Sequence, residues 1–154
     1  MARHGEEVSP LTAHLGYWLR FVSNQVSHAF SQRIAARDVT VAEWVVLRTL
    51  FGEEAVVPST LADKLGMTRG AISKLADRLA AKGLLTQTVN PDDRRYQALA
   101  LTEQGRALVP ELAELADAND AAFFGHLDPA ERARITDAMK DIVRRHGLHV
   151  VPTE

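Results

Sequence analysis

The stretch LADKLGMTRGAISKLADRLAAKGLL, residues 61–85, constrains this chain more than any other part of it. It holds two apolar stripes at helical spacing, interrupted at Gly66 and restarted at Thr68. Glycine tolerates the left-handed turn that closes a helix, and a threonine shortly after it can cap the next one. Two short helices joined by a three-residue turn follow from this pattern. On the second, Ile72, Leu75, Ala76 and Leu79 share one face, whereas Gly70, Ser73, Lys74 and Asp77 fall on the other at 100° per residue. Gly83 ends it.

The same start and stop signals predict four more helices and a hairpin. A first helix follows Ser9-Pro10 and runs to about Ala36, with Leu11, Leu15, Trp18, Val22, Val26, Ala29 and Arg33 spaced by three or four. Roughly 26 residues at 1.5 Å each make a rod of about 40 Å. In the second helix Thr40 caps, Glu43 completes a capping box, Val39 staples against Trp44, and Gly52 ends the run. The third is expected to be capped near Ser59 or Thr60, with Asp63 as box partner. LLTQTV (84–89) and YQALAL (96–101) read as strands joined by NPDDRR. A fifth helix, about 103–125, follows the Thr102 cap and carries Leu108, Leu112, Leu115, Asn119 and Ala122 on one face. The sixth opens on DPAE, with Asp128 as cap, Pro129 in the first position and Glu131 as box partner, and stops at Gly147. The chain is therefore expected to be mainly α with a small β-hairpin.

Composition excludes several classes. With 154 residues, 46% of them hydrophobic and 25% charged, the chain is globular, and no apolar run approaches the roughly 20 residues that span a bilayer. MARHGEEVSP carries no export signal, so the expected location is cytoplasmic. Zero cysteines exclude a disulfide framework, a thiolate zinc site and a cysteine redox switch. Phosphate-cradling glycine loops, a zinc-protease motif and a nucleophile–base set are absent too, so no enzyme and no cofactor is expected. The histidines at 4, 14, 28, 126, 146 and 149 are scattered, and HGLH at 146–149 straddles a helix end, so no metal site is expected.

The net charge of -2 hides an asymmetry. Between 69 and 95, Arg69, Lys74, Arg78, Lys82, Arg94 and Arg95 face only Asp77, Asp92 and Asp93, a local +3 that leaves -5 on the rest. A helix pair with a glycine turn, whose second member is basic on its solvent side, has the form of a helix-turn-helix. Its exposed N-terminal half fits the major groove, about 12 Å wide. Gly70 lets the helix approach closely; Thr68, Ser73 and the first amides can hydrogen-bond phosphates or base edges, and Arg69, Lys74 and Arg78 supply charge. A hairpin directly afterwards, bearing Arg94 and Arg95, is placed to reach the neighbouring minor groove, with Asp93 bracing a guanidinium.

The helix pair, then DDRR, then LALTEQG, in this order and spacing, resemble the winged helix-turn-helix of the MarR family of bacterial transcriptional regulators. The resemblance extends over the whole chain, since a long helix before the DNA-binding lobe and two after it are what that family uses to dimerise. It implies that Ser73, Lys74 and Arg78 lie on the recognition helix, and that Asp93 and Arg95 match the wing's aspartate and minor-groove arginine. The architecture expected is a DNA-binding lobe at 38–102 and a helical dimerisation region made of 9–37 and 103–148. Apolar stripes at both chain ends, too long for the central lobe to hide, independently favour a two-fold partner. The function expected is a homodimeric repressor of a pseudo-palindromic operator in double-stranded DNA, released by a small aromatic or anionic effector. His14, Tyr17, Trp18, Phe21 and Trp44 are the candidate effector-binding residues, with Arg20 available to an anion, although aromatic stripes at helical spacing are more often core. The rival reading is a helical adaptor that binds another protein and no DNA.

Overall fold

A computed structural model describes residues 7–148; within the hairpin, the side chains of residues 90 and 93–96 lie outside the description. The first helix is shorter than its periodicity predicts. Pro10 is extended (φ -66°, ψ 151°), a single 3-10 turn spans Leu11–Ala13, and His14 is extended again before α1 (Leu15–Ala35) begins. The Trp18 indole N–H donates to the Thr12 carbonyl at 3.0 Å, occupying the acceptor that a continuous helix would offer to the amide of Gly16. At 21 residues, α1 is a rod of about 32 Å rather than 40 Å.

After a corner at Asp38, α2 (Val41–Leu50) starts on the expected capping box. The Glu43 amide donates to Thr40 Oγ1 at 3.1 Å and the Thr40 amide to Glu43 Oε1 at 3.0 Å. It ends two residues before Gly52. The start of α3 (Pro58–Leu65) departs from expectation: its N-cap is Val57, which gives no side-chain bond, and Ser59 and Thr60 lie inside the helix. Pro58, with φ preset and no N–H to satisfy, suits the first helical position and starts the helix ahead of both hydroxyls. Gly66 then adopts φ 63°, and α4 (Arg69–Ala81) opens with the Ala71 amide donating to Thr68 Oγ1 at 3.1 Å. Gly83, at φ 75°, turns the chain into the hairpin.

Strands β1 (Leu85–Asn90) and β2 (Asp93–Leu101) are antiparallel, with Leu85 opposite Leu101 and Val89 opposite Gln97. The next pair is Asn90 with Asp93, so residues 94–96 are extra on β2 and the turn itself is only Pro91 and Asp92. A third contributor was not legible in the sequence: Val56 exchanges two backbone bonds of 2.8 Å with Leu99, tying the loop before α3 to the hairpin's base. α5 (Glu103–Phe124) is capped by Thr102, and α6 (Pro129–Arg145) by Asp128, which accepts from the Glu131 amide at 2.8 Å.

One core joins these elements. Ile34 of α1, Val46, Leu47 and Leu50 of α2, Leu61 of α3, Ile72 and Leu79 of α4, Leu99 of β2, and Val109 and Leu112 of α5 are essentially inaccessible to water. α1 and α5 are also joined by polar contacts. Asn119, itself buried, accepts from Arg33 Nε at 3.2 Å and donates to the Val26 carbonyl at 3.1 Å. No helix among the described residues is long and apolar enough to cross a membrane.

Candidate nucleic-acid interface

α4 stands between two clefts. Towards α2 lies an opening of about 410 Å³ bordered by Thr68, Lys74 and Arg78; towards the hairpin lies a smaller one of about 230 Å³ bordered by Ser73, Asp77 and Gln87. The burial of Ile72, Leu75, Ala76 and Leu79 fixes the helix's rotation, which leaves Thr68, Arg69, Gly70, Ser73, Lys74, Asp77 and Arg78 exposed, as their spacing predicts. No ion pair among the described residues engages Arg69, Lys74 or Arg78. A methyl group built on Gly70 would meet nothing nearer than Thr68 Oγ1 at 4.0 Å, so internal packing does not require glycine there. The surface at Gly70 is therefore open. The N-terminus of α4, whose dipole favours negative charge, lies beside the exposed Thr68, Arg69 and Gly70.

Two residues of this region do something the sequence reading missed. Asp77 accepts a 3.0 Å bond from Gln87 Nε2, which joins the exposed face of α4 to β1. Lys82, counted above in the basic excess, turns inward to a buried carboxylate, Glu43, at 3.0 Å. The cations that α4 offers outward are therefore three. Only an unpaired polar side chain facing a strand or a buried acid could have signalled these partners, and neither is visible before the elements are packed.

The hairpin differs from expectation in one respect. Arg94 and Arg95 are not in the turn; with Tyr96 they form the extra backbone of β2 opposite the step from Val89 to Asn90. An insertion of this kind bends and twists the strand that carries it. The side chains of Asp93, Arg94 and Arg95 lie outside the described residues.

The five candidate effector residues do not converge within one chain. Tyr17 stacks edge-on against Trp18 with centroids 5.3 Å apart and lies 6.3 Å from Phe21, close to the exposed His14 at the bend before α1. Trp44 instead packs on Phe30, at 6.2 Å. Thirteen residues of helix, about 20 Å, separate Tyr17 from Phe30. The sequence placed the first group on α1 and Trp44 on α2 without revealing which stretch of α1 meets α2. No group of three or more metal-binding side chains occurs among the described residues, and His149 of the HGLH segment lies beyond them.

A braced helix, exposed and cationic at its start, followed at once by an antiparallel hairpin, defines a winged helix-turn-helix, the architecture of proteins that place a helix in the DNA major groove. The model of the MarR family matches residues 37–95. An HTH-type transcriptional regulator of Bacillus cereus is 29% identical over 135 residues, covering 84% of this chain and 88% of the relative. A Mycobacterium bovis protein is 31% identical over 111 residues, 71% of this chain and 77% of its own length. Among solved structures, Bordetella bronchiseptica BpsR, whose DNA binding is regulated by 6-hydroxynicotinic acid, matches with a TM-score of 0.78 at 28% identity, over 88% of this chain and 98% of that one. The chain belongs to the MarR family, and it is a DNA-binding transcriptional regulator rather than an enzyme.

Proposed function

We propose that this regulator is a homodimeric repressor that binds a pseudo-palindromic operator and is released from it by a small aromatic or anionic effector. The observation that carries the dimer is the apolar surface left uncovered at both chain ends. Leu15 is 68% exposed and Phe21 53% on α1, and Ile135 is 47% and Met139 44% exposed on α6, with Trp18, Leu19, Val22, Ile142 and Val143 adding to the same faces. Contiguous apolar surface of this kind marks an interaction site rather than ordinary scatter. A two-fold pairing buries it and supplies two copies of α4. At a separation of about 34 Å these enter successive major grooves on one face of the duplex.

In this reading Thr68, Arg69, Gly70, Ser73, Lys74 and Arg78 contact the major groove and its phosphates, and Asp93, Arg94 and Arg95 serve the wing. The protein works in the cytoplasm, where its DNA is. An effector releases the operator only by binding more tightly to a dimer geometry whose recognition helices miss the half-sites, because equal affinity for both geometries shifts nothing. BpsR's regulation by an aromatic acid supports that ligand class. The aromatic group at Tyr17, Trp18 and Phe21 with His14, and separately Trp44, are the places to look for it.

Selection of genomic fragments by the purified protein, read by sequencing, tests the operator and yields the half-site spacing. Sedimentation tests the assembly: a particle twice the chain's 16.9 kDa is expected. A monomer, or fragments without paired half-sites about ten base pairs apart, would refute the proposal. Capture of a protein partner with no salt-sensitive DNA shift would favour the adaptor reading instead.

A further inference from the structure

We propose that Lys82 is a positioning residue, which locks the C-terminal end of the recognition helix to the corner between α1 and α2 and so sets the angle at which α4 meets DNA. The inference rests on the operator reading above and deepens it. A lysine at the end of a helix ordinarily extends into water, where it favours the negative end of the dipole. Lys82 is the C-cap of α4 and does the opposite. Its ammonium donates to the Asp38 carbonyl at 2.6 Å and to Glu43 Oε1 at 3.2 Å, and stands 3.0 Å from Glu43 Oε2.

Each of these partners belongs to the corner. Glu43, in the first turn of α2, is only 1% exposed. Its Oε1 also receives the Thr40 amide, whereas Oε2 has no well-angled hydrogen bond and depends on the lysine charge beside it. Asp38 is the one non-glycine residue with positive φ among those described, at 56°, a conformation that L side chains disfavour and that needs surrounding contacts to persist. On the far side of the corner, Arg37 pairs with Glu111 of α5. The corner is thus gripped by α5 on one side and by α4 on the other. A tilt of α1 carries the Asp38 carbonyl with it, and Lys82 is the polar link through which α4 follows.

The decisive variant is the double substitution Glu43→Gln/Lys82→Met, which removes the link, strands no buried charge and leaves net charge unchanged; Lys82→Met and Lys82→Arg are measured beside it in the full chain. Affinity for the selected operator duplex is compared with affinity for a scrambled duplex at one salt concentration, with the folded fraction fixed by circular dichroism. Non-specific binding reports exposed cations facing phosphate, whereas specific binding needs the helix at its proper angle. The double variant is expected to lose about tenfold or more on the operator, the size of one lost base-pair contact, and to stay within about twofold on the scrambled duplex. Lys82→Arg, able to reach the same oxygens, is expected to recover part of the loss. Equal losses on both duplexes would mean a merely structural pair, and an unchanged ratio in the double variant would overturn the inference alone. A wild type that does not discriminate between the duplexes would overturn this inference together with the operator reading.

Discussion

Replacing Gly105 by alanine tests how the hairpin is joined to α5, and the structure fixes the sign of the effect. Gly105 lies in the first turn of α5, buried against the end of the segment that leads into β1. A methyl group built there would sit 2.1 Å from the Leu84 carbonyl oxygen and 3.1 Å from its carbon. Ordinary carbon–oxygen contacts lie near 3.3 Å, so backbone would have to move by about 1 Å. That carbonyl also accepts the Thr102 amide at 3.1 Å. The Thr102 hydroxyl in turn donates to the Gly83 carbonyl at 2.7 Å and accepts from the Gly105 amide at 3.0 Å. Overpacking costs roughly 1–3 kcal/mol and one weakened hydrogen bond about 1 kcal/mol. Alanine's better helix propensity returns about 1 kcal/mol at most. The expected outcome is a net loss of about 2 kcal/mol. With an m-value near 2 kcal/mol/M, that moves the urea midpoint down by about 1 M at fixed protein concentration. Gly70→Ala is the control: with no atom nearer than 4.0 Å to the new methyl, it should gain up to about 1 kcal/mol, while weakening operator binding if α4 approaches DNA there. If Gly105→Ala is as stable as the wild type, or shifts like Gly70→Ala, the account of this junction is wrong.

Thr68→Ala removes the α4 cap and should cost about 1 kcal/mol in urea unfolding, with operator affinity lowered as the turn carrying Arg69 frays. Arg95→Ala should flatten the salt dependence of operator binding by up to about one counterion, and an unchanged slope across a salt series would remove the wing arginine from the interface. Burial pushes the Glu43 carboxyl up, but hydrogen bonding from Lys82 and from the backbone and side chain of Thr40, together with the lysine charge, holds it below its ordinary value of 4.5. A depressed carboxylate contributes stability that is complete above the ordinary value and is lost as pH falls through the folded one, so the wild type should weaken on acidification below about pH 4.5. Glu43→Gln should lack that contribution at every pH, and its thermal midpoint should fall less steeply over the same acid range.

What the sequence determined by itself was local chemistry. The capping box of Thr40 and Glu43, the Thr68, Thr102 and Asp128 caps, the left-handed Gly66 and the outward stripe of α4 are all settled within a few residues, because backbone donors and side-chain periodicity act at that range. The order of the helix pair, wing and L-T-x-x-G junction was legible for the same reason, and so was the family. Competition between local signals was harder to judge: Pro58 displaced the expected hydroxyl caps of α3, and Trp18 took the carbonyl that would have carried α1 back to Pro10. Tertiary structure alone decided which charge faces where. Lys74 and Lys82 lie about two helical turns apart and read alike in a composition, yet one is exposed on the outer face of α4 and the other is held by Glu43, 39 positions away in sequence. It also decided that Trp44 packs on Phe30, far from Tyr17, and that Leu84 leaves room only for a glycine at 105. Such pairings depend on desolvation and on distances between elements remote in the chain, quantities that exist only once the core has closed.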